Sequence, residues 1–103
     1  MSRSLADLTG DLQKVSDIYA KRMGIRRDGD WYLLKIQEEL GELAAEYLRL
    51  DLRKPGKGLT QGDVEEKLAD EAADVLAQVL LFIGEEGIDI DSALERKWLK
   101  YLR

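Results

Sequence analysis

From Leu5 onward, apolar residues recur every three or four positions, at Leu5, Leu8, Leu12, Val15, Ile18 and Tyr19. That step matches the turn of an α-helix and predicts an amphipathic helix from Ser4 to Met23. Ser4 stands three residues before Asp7, the spacing of a capping box with Asp in the place usually held by Glu. Gly24 supplies a left-handed stop, and Arg26 to Asp30 make a polar connection with Asp30 as the N-cap of the next helix. A second stripe, Leu33, Ile36, Leu40, Leu43, Tyr47 and Leu50, predicts a helix from Trp31 to Leu52, ended by Pro55 and its neighbouring glycines. Asp63 with Glu66 three residues later reads as the cap of a third helix reaching about Glu86. Gly87 stops that helix and Asp89 caps a fourth, which Ala93, Leu94, Trp98, Tyr101 and Leu102 carry to the end of the chain. The expected fold is all-α, a four-helix-bundle-like protomer forming a single domain over residues 1–103.

Within the third helix, Val75 to Ile83 is apolar nearly all round. A lone domain of this size rarely buries such a helix by itself, so Val75, Leu76, Val79, Leu80, Phe82 and Ile83 point to a subunit interface. On this expectation a charge at Leu80 would disrupt that interface.

Composition narrows the chemistry. A net charge of −5 argues against nucleic-acid polymers and anionic membranes as partners, since both call for clustered Lys and Arg. The chain has no Cys and no His, which excludes thiolate and imidazole metal sites and leaves carboxylate oxygens as the ligands for a hard cation such as Mg²⁺ or Mn²⁺. MSRSLADL lacks the apolar run of a signal peptide, and the stretch from Val79 to Ile83 is too short to span a bilayer, so a cytoplasmic protein is expected.

The informative pattern is Glu38-Glu39-Leu-Gly-Glu42 on the second helix and Glu71-Ala-Ala-Asp74 on the third. Residues three apart project from one side of a helix, so Glu39 with Glu42, and Glu71 with Asp74, each border an apolar stripe. If the two stripes pack together, four carboxylates converge, and a divalent cation offsets their mutual repulsion. Either motif alone is commonplace on a solvated helix. Glu46, Glu65, Glu66, Glu85, Glu86 and Glu95 lack the paired arrangement and are assigned to solvent.

With EExxE on one helix and ExxD on the next, the chain resembles the all-α nucleoside triphosphate pyrophosphatases of the MazG-like group. The likeness runs from about Trp31 to Tyr101 and includes GELAAEYL, DEAADVLAQVLLF and GIDIDSALERKW. It implies Mg²⁺-dependent cleavage between the α- and β-phosphates of a nucleoside triphosphate, giving a monophosphate and pyrophosphate. It also implies obligate dimers, or dimers of dimers (homodimer or homotetramer), with sites near the interfaces. Carried over by position, Glu39, Glu42, Glu71 and Asp74 are metal ligands, and Glu38 holds a second ion or orients the attacking water. Phosphoribosyl-ATP pyrophosphatase, with similar acidic helices, is an enzymatic alternative, although the Trp31 region does not look like its opening. A non-catalytic helical oligomerisation or regulatory module is the alternative from outside enzymology.

Trp31, Lys35, Glu38 and Glu42 fall on one side of the second helix. Trp31 either stacks on a base or anchors the helix start, and Lys35 either touches phosphate or pairs with Glu38 or Glu39. Lys97, Lys100, Arg53, Lys54 and Lys57 are candidates to grip a triphosphate, and the family likeness singles out Lys97. Gln78, polar within an apolar run, is either a hydrogen-bonded interface residue or a base contact.

Overall fold

The computed structural model describes residues 3–51 and 60–103, and these form four α-helices and a terminal 3₁₀ segment with no strand among them. Helix α1 spans Leu5–Met23, and the Ser4 hydroxyl accepts the Asp7 N–H at 3.0 Å. It closes on Gly24, whose φ of 66° is the left-handed conformation expected of that stop. Helix α2 spans Gly29–Asp51. It starts earlier than the sequence suggested, because Asp28 rather than Asp30 caps it by accepting the Trp31 N–H at 2.9 Å.

Helix α3 spans Gln61–Glu85, and its cap is also displaced from expectation. Thr60 is the N-cap and Asp63 the third helical residue. The Thr60 hydroxyl accepts the Asp63 N–H at 3.0 Å while the Asp63 carboxylate accepts the Thr60 N–H at 2.9 Å. Helix α4 spans Ile90–Lys97, capped as expected by Asp89, which accepts the Ser92 N–H at 3.1 Å. The helix does not reach the chain end. Trp98 leaves the helical region at φ −130°, and Leu99–Leu102 continue as a 3₁₀ turn. Trp98, Tyr101 and Leu102 are all well exposed, so no burial supports a further α-turn there.

Helices α2 and α3 form the main packed pair, and they run antiparallel. Glu46 meets Lys67 near one end, Glu42 neighbours Glu71 in the middle, and Gly29 lies against Glu86 at the other end. Helix α1 lies on the other flank of α3, crossing it where Gly84 leaves room for Thr9 and Gln13, whose side chains a Cβ would strike. Arg27 ties the α1–α2 connection back to α1 through Asp17 at 2.7 Å and the Ser16 hydroxyl. Among the described residues the buried apolar ones are Ala20, Tyr32, Val64, Leu80 and Leu81.

Two packing expectations need correction. Leu80 is 3% exposed within a single chain, because α3 is the central helix and α1 and α2 cover it from two sides. A charge at Leu80 would therefore break the protomer's own core. The α2 stripe is also rotated from the one read in the sequence: Tyr32, Ile36, Glu39, Leu43 and Glu46 are the covered or half-covered positions, while Leu33, Leu40 and Tyr47 remain exposed. Pro55, Arg53, Lys54, Lys57 and Leu52 lie outside the described residues, so the expected helix end and the basic connection do too.

Candidate functional site: an acidic cluster beside an aromatic groove

The rotation of α2 places Glu39 on the surface it presents to α3. Glu39 is 8% exposed, the one charged residue among the buried described positions. One turn along α2 comes Glu42, and across from it on α3 comes Glu71. One carboxylate oxygen from each of these three residues lies within 4.8 Å of the other two. In an octahedral Mg²⁺ shell, oxygens about 2.1 Å from the ion sit about 3 Å apart side by side and about 4.2 Å apart across it. The 4.8 Å bound on the three oxygens lies just above the longer of these separations.

Burial and repulsion both act on the cluster. Desolvation raises the Glu39 carboxyl above its ordinary range, Glu42 and Asp74 raise it further, and Lys35 opposes them. The Glu71 carboxyl is raised for the same leading reason, with Glu42, Asp74 and then Glu46 adding to it. Oε2 of Glu39 and Oε2 of Glu71 are buried and accept no hydrogen bond from the described residues. The nearest described cation, Lys35, stands 3.9 Å from Glu39 and 3.4 Å from Glu38, too little positive charge for three or four acids. Orphaned, desolvated carboxylate oxygens on an all-oxygen donor set fit a hard divalent cation.

The remaining expected residues divide. Asp74 is exposed and close enough to raise both Glu39 and Glu71, yet its oxygens fall outside the tight set of three. Glu38 points outward, paired with Lys35 and 55% exposed. Trp31 and Lys35 line an open groove of about 380 Å³ together with Glu39, Asp74, Tyr19 and Gln78. The Lys35 ammonium sits 6.0 Å from the Trp31 ring centre, and Trp31 meets its neighbour Tyr32 edge-on while lining the groove. Lys97 is exposed in the last turn of α4 and does not line this groove.

Glu46, expected in solvent, is half-buried, bonded to Arg49 and 3.8 Å from Lys67, where it borders the cluster. Its spacing of seven from Glu39 puts it on the same helix face, a signal present in the sequence. Comparison with protein-family models, with curated proteins and with solved structures finds no match to this chain. Among the described residues, no helix is long and apolar enough to cross a membrane.

Proposed function

We propose that the chain is a divalent-metal-dependent nucleoside triphosphate pyrophosphohydrolase, cleaving between the α- and β-phosphates to give a nucleoside monophosphate and pyrophosphate. The observation that carries this reading is the convergence of Glu39, Glu42 and Glu71 from two helices, with two buried oxygens left unpartnered, beside a groove walled by aromatic rings. Mg²⁺, or Mn²⁺, would be held by these three residues with Asp74 and, when bound, would acidify a water and offset phosphate charge. Glu38, exposed and one residue from Glu39, would accept the proton of the attacking water in this reading. Lys35 contributes positive charge to the phosphates once the cation relieves it of Glu39, and Trp31 offers a face for a base. Lys97 remains a candidate phosphate contact through a neighbouring copy, since its own chain leaves it outside the groove.

The same reading includes a homodimer or homotetramer. Leu33, Leu34, Leu40, Tyr47 and Leu48 are about half exposed or more and share one broad face of α2, with Gly41 and Ala44 between them. Among the described residues, nothing beyond Gly41's own helix backbone comes within 4 Å of a Cβ placed there, so a second helix has room to approach.

The test is pyrophosphate release from a panel of nucleoside triphosphates, with phosphoribosyl-ATP included, in Mg²⁺ and in EDTA. The expected result is metal-dependent release by the wild type, reduced at least 100-fold in Glu39→Gln, Glu42→Gln and Glu71→Gln while their helical content is unchanged. Release that persists in all three variants, or none from any substrate by well-folded wild type, removes the proposal and favours a non-catalytic module.

A further inference from the structure

The groove that Trp31 lines is built from three helices, and they are not equally well tied together. Helix α2 brings Trp31 and packs along α3, which lines the groove through Ala77 and Leu81. Helix α1 brings Leu12, Val15 and Tyr19, and it packs on α3 with little backbone approach to α2. Val15, Ile18 and Tyr19 are at least half exposed, so little burial fixes this stretch of α1 relative to Trp31.

Arg27 supplies the missing tie. Its neighbour Asp28 caps α2 at Trp31, so the backbone of Arg27 is held at the start of that helix. From there the side chain, 18% exposed, reaches two consecutive residues of α1. One terminal nitrogen donates to the Ser16 hydroxyl and the other to the Asp17 carboxylate at 2.7 Å. Ser16 is itself part of the groove wall. Behind that wall, Arg27 shares a recess of about 200 Å³ with Tyr32 and Leu81. Leu81 lines the recess and the groove alike, and Tyr32, 4% exposed, meets Trp31 edge-on. The planar fork of an arginine holds two acceptors at fixed spacing, which the single ammonium of a lysine does not.

We propose that Arg27 is a positioning residue that sets the width of this groove, holding the Val15 to Tyr19 stretch of α1 at its spacing from Trp31. The consequence for nucleotide affinity rests on the reading of the groove as a base site, whereas the effect on the groove itself does not. Neither Arg27 nor Asp17 lines the groove or belongs to the acidic cluster, so a substitution at either reaches a bound ring only through α1.

The experiment uses the full chain carrying Trp98→Phe, which leaves Trp31 as its only tryptophan. Acrylamide quenching of Trp31 should rise in Arg27→Lys and in Asp17→Ala, with helical content unchanged, and the double variant should rise by less than the two singles together. Affinity for α,β-imido-ATP in Mg²⁺ should fall roughly fivefold or more in each variant as the ring loses contact with one wall. Mg²⁺ binding without nucleotide, which draws on α2 and α3, should stay as in the parent. Quenching unchanged in both variants overturns the proposal, and so does a loss of Mg²⁺ affinity alongside the quenching, since that would mean loosening of the whole protomer. If Arg27→Lys does not fold, Asp17→Ala, at a position 70% exposed, decides by the same readings. Quenching that rises as expected in a protein that binds no analogue removes the nucleotide reading and leaves the positioning role standing. Analogue binding with unchanged quenching does the reverse.

Discussion

The uncovered face of α2 gives the most direct quantitative expectation, through Leu34→Lys. Leu34 is 67% exposed in the single chain, so replacing it removes little from the protomer, whose stability should change by no more than about 0.5 kcal/mol. Fully burying a leucine is worth about 1.5–3 kcal/mol, so covering the exposed two-thirds of this one contributes about 1–2 kcal/mol per copy. A lysine there loses that contribution and adds the cost of desolvating a charge, of the order of 2 kcal/mol when it can partly reach water. In a two-fold symmetric dimer each change is counted twice. The total is about 6–8 kcal/mol, a rise of more than about 10,000-fold in the dimer dissociation constant. Sedimentation velocity across a concentration series, with circular dichroism to verify the fold, measures both numbers. A well-folded wild type that is monomeric at hundreds of micromolar would refute the reasoning, and so would a Leu34→Lys variant that associates as tightly as the wild type. Leu80 cannot serve for this test, because a charge there is buried in the protomer itself.

Acidifying the metal-free protein from pH 7 towards pH 5 should raise its melting temperature. Glu39 and Glu71 bind protons more tightly folded than unfolded, so their contribution is fully present below the ordinary value of 4.5 and is lost as pH rises through the raised folded values. The cap carboxylates Asp63 and Asp89 are lowered instead, and their contribution fades only as pH falls through values below 3.8, outside that window. Thermal scans of Glu71→Gln should show a flatter rise, and an equal slope would locate the effect elsewhere. Mg²⁺ at about 100 times its dissociation constant should stabilise the wild type by about 2.7 kcal/mol, a rise of the order of 10 °C, and should do little for Glu39→Gln. Identical shifts in both proteins would mean general salt effects.

Four helices, the Gly24 and Gly87 stops and the Ser4 and Asp89 caps were all legible in the spacing of apolar residues and in turn chemistry. The caps at Asp28 and Thr60 were not, because two acceptors stand within three residues of each start and sequence gives no preference between them. The face of α2 was misjudged for a related reason. Apolar residues occupy more than half of its circumference, and periodicity shows that a stripe exists without showing which part of a wide one meets α3. The pairing of EExxE with ExxD did find the cluster, since Glu39, Glu42 and Glu71 converge across α2 and α3. The placements of Asp74 and Glu38 were beyond its reach, as both depend on the rotation of α2 against α3.

That rotation is what gives the cluster its meaning. Glu39 occupies a position whose neighbours along the same helix face, Tyr32, Ile36 and Leu43, are buried or half-buried apolar side chains. An apolar residue there would bury without penalty, whereas a glutamate loses its hydration, leaves an oxygen unpartnered and faces Glu42 and Asp74. Burial alone therefore gives no reason for a carboxylate at this point, and repulsion from its neighbours gives a reason against one. Leucine, valine and isoleucine are abundant in the chain and serve at adjacent positions. A sequence that is consistent everywhere else, with capped helices and solvated outer faces, breaks its own rule at the point where a second helix brings Glu71 to meet Glu39. The penalty is local and shared by residues from two elements, and the proposed cation would offset each of its components, desolvation, repulsion and the missing partner.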